Sequence, residues 1–337
     1  MPRKLLIINQ LMKKIVFLGN FNVDFTSESH YMKTFRKLGY EVYPLQERST
    51  TAEQILKRAS EADMFFWVHT HKWETPGIAE VLSILKDKGI PTVGYHLDLW
   101  LGIERQKDLE TDPYWGIQYF FSVDPLMVNL LNETPNMPKA YFLRAGVFED
   151  ECYIGAQQSQ YEHDVIFVGS KGYHHEWPYR RKLIDWLEKN YGERFALYGR
   201  DGINQDQIRG MELNNLYATA KVVVGDTLCQ NFNYPQYMSD RIFETTGRGG
   251  FLIHPYIKGL EECFNLGLDD PGQTHFDKPR ELAAYSFNDF DYLRYSIDYF
   301  LKNEDEREAI RLAGHNRTKA DHTYTSRLKY LLETIGI

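Results

Sequence analysis

The residues best equipped for chemistry in this chain are cations beside glycines. Gly169-Ser170-Lys171-Gly172 lies between an apolar run, residues 163–169 (HDVIFVG), and a helical stretch, residues 178–191, with Arg180 and Arg181 near its start. Ligands of parallel sheets sit off the carboxyl ends of the strands. Backbone N–H groups at such a turn, with a lysine and an arginine nearby, form a diphosphate cradle that needs no metal. The plainer reading is an ordinary strand-to-helix turn with solvated cations. Gly199-Arg200 ends the next apolar run (ALYGR) and is placed either to border a nucleobase pocket or to sit in a surface turn.

A second group follows strand ends in the first half. His96 and Asp98 stand in YHLDLW, directly after the run PTVGYH. A histidine there can hydrogen-bond a substrate hydroxyl, with the aspartate orienting it or acting as base. His69 and His71 are two apart, and on a strand they share a face. No third ligand is near, so they read as cleft lining and not as a metal site. Trp73, Trp100 and the loop of residues 20–30 face the same way; packing is the simpler role for the tryptophans. His174-His175 reads as loop.

Several chemistries are excluded by absence. Neither glycine turn has the GxGxxG spacing of a dinucleotide site, and GxxxxGK[ST], HExxH and GxSxG do not occur. Cys152, Cys229 and Cys263 are odd in number and widely spaced, which argues against zinc and disulfides and fits a reducing cytoplasm. The net charge of −8 disfavours duplex nucleic acid and anionic membranes as default partners. No apolar run reaches the ~18 residues that cross a bilayer. The start, MPRKLLIINQLMKKIVFLGN, is a poor signal peptide, and residues 1–11 read as an extension ahead of the first strand.

The elements that must position these residues alternate. Strands are predicted at 14–19, 41–45, 63–69, 91–96, 118–123 and 139–143, with helices at 27–38, 51–62 and 76–88. Residues 150–162 are polar and unpatterned, which places a linker there. Strands restart at 163–169, 195–198, 221–225 and 250–254, with helices at 178–191, 213–220 and 239–247. From 279 on, helices are predicted at 279–286, 290–302, 304–320 and 324–334. Strands separated by helices imply parallel sheets covered on both faces. At 337 residues the chain suits two domains of about 150 residues each.

The stretch SDRIFETTGRGGFLIH and the tail resemble the group-1 glycosyltransferases, a spore-maturation-type subgroup among them. The matching residues are Arg241, Phe243, Glu244, Gly249 and Gly250, then Arg307, Ile310, Ala313, Gly314, His315, His322, Thr323, Tyr324 and Arg327. The intervening FDKPREL, residues 276–282, belongs to the same stretch. The resemblance covers roughly residues 160–337.

This resemblance implies an α/β chain of GT-B fold, with two Rossmann-like domains facing a cleft. Residues 1–155 would form the acceptor side and 156–320 the nucleotide-sugar side, with 321–337 packing back on the first domain. It implies that Glu244 holds the donor ribose, and that Gly169, Ser170, Arg180, Arg200, Ser239, Asp240 and Arg241 contribute to the donor site. His96, Asp98 and Lys171 would serve catalysis. The donor would be a UDP- or GDP-sugar, with no further cofactor, no metal and retention of configuration. Many relatives carry a second glutamate eight positions before Glu244; here that position is Gln236. The acceptor stays open between a saccharide, a protein and modified nucleic acid, as does association into a homodimer. Transfer to modified DNA bases, a sugar-nucleotide epimerase and a non-catalytic nucleotide-binding protein are the competing readings.

Overall fold

The computed structural model describes residues 12–172, 174–203, 208–267 and 279–337. The 1–11 extension and residues 276–278 of the FDKPREL segment lie outside the described residues. The first sheet comprises β1 (Lys14–Gly19), β2 (Glu41–Gln46), β3 (Met64–Trp67), β4 (Thr92–His96), β5 (Tyr119–Ser122) and β6 (Lys139–Phe142), in the order β2-β1-β3-β4-β5-β6. The second comprises β7 (Val165–Val168), β8 (Phe195–Tyr198), β9 (Val222–Val224), β10 (Leu252–Pro255) and β11 (Ala283–Tyr285), in the order β11-β10-β9-β7-β8. Every registered pair is parallel. This is the α/β fold with two Rossmann-like halves read from the sequence.

The first half adds helices α1 (Ser27–Lys37), α2 (Ala52–Ala59), α3 (Ile78–Asp87) and α4 (Pro125–Glu133). The second adds α5 (Tyr179–Tyr191), α6 (Gly210–Thr219), α7 (Asp240–Gly247), α8 (Phe290–Lys302), α9 (Glu304–Asp321) and α10 (Tyr324–Ile335). Local chemistry sets several starts. Thr51 and Gln54 form a reciprocal capping box on α2. Helix α4, which the sequence reading left out, starts where Asp124 accepts from Leu126 N and Met127 N (3.1 and 3.2 Å) and Pro125 fills the first turn.

One expectation is corrected. Residues 279–286 were predicted helical, but Ala283–Tyr285 is a strand. It pairs with β10, and Tyr256 N donates to Tyr285 O at 2.7 Å. Leucine and alanine favour a helix by only tenths of a kcal/mol per residue. Satisfying the backbone groups of a buried neighbouring strand outweighs that preference.

The chain crosses between the halves twice, and the crossings touch. Val147 N donates to His322 O (3.0 Å) and Tyr324 N donates to Val147 O (2.9 Å). Helix α10 then lies on α1, with the Tyr31 and Tyr324 rings edge to face at 4.8 Å. Arg327 Nε donates to Arg144 O and Ala145 O at 2.9 and 3.0 Å. One apolar core runs from this face of the first sheet through Val147, Phe148 and Cys152 into the second domain.

The tail residues hold α9 against α7. His315 Nδ1 lies 2.8 Å from Gly247 O, and the Thr246 and Thr318 hydroxyls are 2.7 Å apart. A Cβ on Gly314 would meet Glu281 O at 2.4 Å. A close helix crossing therefore fixes the element that carries Arg241 and Glu244. No helix among the described residues is long and apolar enough to cross a membrane.

Candidate functional site

Because all strands run parallel within each sheet, both sheets present carboxyl ends to the groove between the domains. Two cavities meet there. The inner one, about 410 Å³, is lined only by the second domain. It takes Gly169 and Ser170 from the end of β7, Tyr198, Gly199 and Arg200 from the end of β8, and Tyr217 from α6. The outer one, about 380 Å³, takes Phe25, Thr26, Ser27, His30, Leu97 and Asp98 from the first domain, and Tyr324 from α10. The second domain faces these with Arg180, Ser239 and Asp240. Arg209, Arg241 and Glu244 line both cavities, so they form the wall the two share.

Arg241 owes its position to a glycine. Its Nη1 donates to Val168 O at 3.3 Å, lying across the end of β7. Gly169 has φ +146, and a Cβ there would stand 2.3 Å from that Nη1. Any side chain at 169 would displace the guanidinium from the cavity wall. Glu244 lies one turn along the same helix face, 4.0 Å from Arg248 Nη2. Arg180 is buried and bonds Asp226 (Nε to Oδ2, 2.9 Å), which fixes its guanidinium at the outer cavity. The outer cavity carries both signs: Arg180, Arg209 and Arg241 against Asp98, Asp240 and Glu244.

Three sequence-predicted roles need correction. Lys171 lines neither cavity. Its ammonium bonds Asp185 and Glu188 on α5, at 3.1 and 2.7 Å, because the long side chain follows the helix surface away from the strand ends. His96 lines neither cavity either. It packs against Trp100 and Tyr114, with Nε2 2.8 Å from Arg105 Nη1. Burial, and then the Arg105 charge, push its pKa down to about 3, so it stays a neutral acceptor. Strand β4 ends at His96, so Asp98 lies beyond the pleat in the following loop and reaches the outer cavity, while His96 stays in the aromatic layer.

His69 is the third. Rather than lining the cleft, it is buried between Glu47 (Nδ1 to Oε1, 2.5 Å) and Asp112 (Nε2 to Oδ2, 3.5 Å). Burial disfavours its charge, but hydrogen bonds to Asp112 and Glu47 outweigh that and raise its pKa to about 9. Glu47 also accepts from Trp67 Nε1 and Thr70 N, so this charged cluster fixes the turn after β3. His71 pairs with Asp108. Trp100 is fully buried, while Arg48 stacks over Trp73. No group of three His, Cys, Asp or Glu among the described residues is placed to hold a metal ion.

One feature went unread in the sequence. Arg209 lies in a polar stretch with no local pattern, and only its position in the shared wall, stacked over Phe25 across the groove (5.6 Å), marks it. Gln236 lines neither cavity. Its Nε2 donates to Glu262 Oε1 (3.2 Å), and Glu262 also pairs with Arg144 of the first domain. A glutamate at 236 would put a second carboxylate against Glu262, which accounts for the neutral amide.

In comparisons with known proteins, residues 180–333 match the family model described as glycosyl transferase-like. No curated protein matches the chain by sequence. Solved structures resemble it over nearly the whole length. An α-glucosyltransferase in complex with UDP and a 13-mer DNA is 14% identical at TM-score 0.68, covering 97% of this chain and 99% of that one. The Anabaena protein HepE, in complex with UDP and glucose, is 10% identical at TM-score 0.61, covering 96% and 99%. A glycosyltransferase from Rickettsia africae is 12% identical at TM-score 0.59, covering 96% and 98%. The second half of the chain thus matches the glycosyl transferase-like family, set in a two-Rossmann fold shared with solved glycosyltransferases.

Proposed function

We propose that the chain is a glycosyltransferase that moves a sugar from a UDP- or GDP-sugar to an acceptor hydroxyl, with retention and without a metal. The observation that carries this reading is the shared wall: Glu244, Arg241 and Arg209 stand where an inner, single-domain cavity opens into an outer, two-domain one. The inner cavity takes the nucleoside, with Arg200 and Tyr198 beside the base. Glu244 accepts hydrogen bonds from the two ribose hydroxyls. Arg241, Arg209 and the backbone at Gly169 and Ser170 take the diphosphate. Arg180 and Ser239 border the transferred sugar in the outer cavity.

Glycosyl transfer builds negative charge on the departing nucleoside diphosphate, and fixed cations aimed there supply most of the catalysis. UDP in two of the similar structures supports a uridine donor first. Arg307, Gly314 and His315 of α9, and His322 just after it, support the spore-maturation-type subgroup. The outer cavity, which would take the acceptor, balances three arginines with three carboxylates, which favours a saccharide-like acceptor over a nucleic acid.

The test is a thermal-shift panel of UDP-, GDP-, ADP- and dTDP-sugars, with mass spectrometry of the products. A ligand at 100 times its Kd stabilises by about 2.7 kcal/mol. Glu244→Ala is expected to abolish the shift given by the best donor. A shift that persists undiminished in this variant removes the ribose assignment and the reading built on it.

A further inference from the structure

Transfer to a hydroxyl needs a group that takes its proton; among the described residues of the first domain, His30 lines the outer cavity but stacks on Phe148 with its Nε2 3.8 Å from Glu151 Oε2. His96 is outside both cavities with its Nε2 engaged by Arg105. Asp98 reaches the outer cavity but carries Arg105 on its carboxylate, Nη1 to Oδ2 at 3.4 Å. The remaining carboxylate that lines the outer cavity and not the inner one is Asp240, the first residue of α7. Its two neighbours on that helix face, Arg241 and Glu244, line both.

We propose that Asp240 is the catalytic base, taking the acceptor hydroxyl's proton from the second-domain side of the outer cavity. The assignment rests on the glycosyltransferase reading above. As the acceptor oxygen bonds the anomeric carbon, the bond from that carbon to the diphosphate oxygen breaks and its electron pair leaves on the diphosphate. The acceptor proton passes to the Asp240 carboxylate. Asp240 is next to Arg241, the cation assigned to the diphosphate. Retention requires incoming and departing oxygens on the same side of the sugar, and a base next to the diphosphate's cation suits that arrangement.

The charges facing Asp240 suit the task. Burial, then Glu244 on α7 and Asp98 after β4, raise its pKa to about 7, against the pull of Arg241 and of Arg209 ahead of α6. The hydroxyls of Tyr31, Tyr95 and Tyr324, from α1, β4 and α10, also face it and stay protonated, because burial raises their pKa values. A base works best when its pKa lies near the working pH. A bound diphosphate occupies the same two arginines and so strengthens Asp240's hold on a proton.

The experiment uses the full chain, the sugar nucleotide that the panel shows to be turned over, and UDP as the binding probe. Wild-type kcat is expected to rise with pH through an inflection at or somewhat above 7. Asp240→Asn should lower kcat by about 10²- to 10⁴-fold and flatten that limb, while the UDP Kd changes by less than about threefold. Asp240→Glu should recover part of the rate and the limb. Turnover of the asparagine variant within about tenfold of wild type, with the limb intact, overturns the assignment. So does a loss of UDP affinity matching the loss of turnover, which makes Asp240 a donor ligand. Failure of the underlying reading shows separately, as wild-type protein that binds no nucleotide, and takes this assignment with it.

Discussion

Replacing Arg241 with alanine is expected to lower kcat about 10²- to 10³-fold, with a far smaller change in UDP affinity. The guanidinium lies in the wall between the two cavities, held by Val168 O and admitted by the missing side chain of Gly169. A cation fixed in advance needs no reorganisation as charge develops on the leaving diphosphate, so its effect falls on the chemical step. Arg209 lines the same wall and is expected to keep much of the ground-state binding in the variant. Arg241→Lys should recover only part of the rate, because an ammonium is a point charge where the guanidinium offers a planar fork. Initial-rate kinetics and UDP calorimetry on both variants check this. An alanine variant within fivefold of wild-type kcat rejects the role.

The second large effect is on stability. Arg248 is fully buried and ties three segments together: it donates to Glu151 of the connecting chain, to Asn214 of α6 and to Gly210 O. Removing one partner of a buried ion pair leaves an uncompensated charge and costs roughly 3–5 kcal/mol. Arg248→Met should therefore lower Tm by roughly 10 °C. The pH dependence has a definite sign. Burial already raises the Glu151 pKa, and Arg248 is the largest influence holding it down. Without the arginine, the folded-state pKa rises further above the unfolded value of about 4.3. A carboxyl so shifted destabilises the fold progressively as pH climbs from the unfolded pKa through the folded one. The gap in Tm between variant and wild type should be small near pH 4.5 and widen toward pH 8. Adding Glu151→Gln should close much of it at pH 8. A single variant that melts with the wild type at pH 8 contradicts the assignment.

What the sequence revealed follows from how local each signal is. Of the ten strands it placed, all but the edge strands β2 and β6 are apolar runs buried on both faces. The strand at 283–285 has the helix-favouring letters LAAY, and its identity comes from β10 beside it. Arg241, Glu244, Ser239 and Asp240 could be read because one helix start carries all four. Arg209 could not, since its role depends on two cavities meeting beside a patternless loop. Lys171 and His96 show a different limit. Sequence places a backbone at a strand end, but side-chain direction depends on Arg105 and the surrounding aromatic rings for His96 and on the carboxylates of α5 for Lys171. The His69 cluster needs Glu47 and Asp112, each from a separate part of the chain.

The paired backbone bonds between Val147 and the His322–Tyr324 segment carry a mechanical consequence. Two crossings that ran far apart would clamp the halves, and a single crossing would leave a loose tether. Here they run side by side, so they behave as one hinge pin. Any rotation of one half against the other about that line would move the residues distant from it furthest. Phe25 and Arg209, stacked across the groove, would be parted by such a rotation.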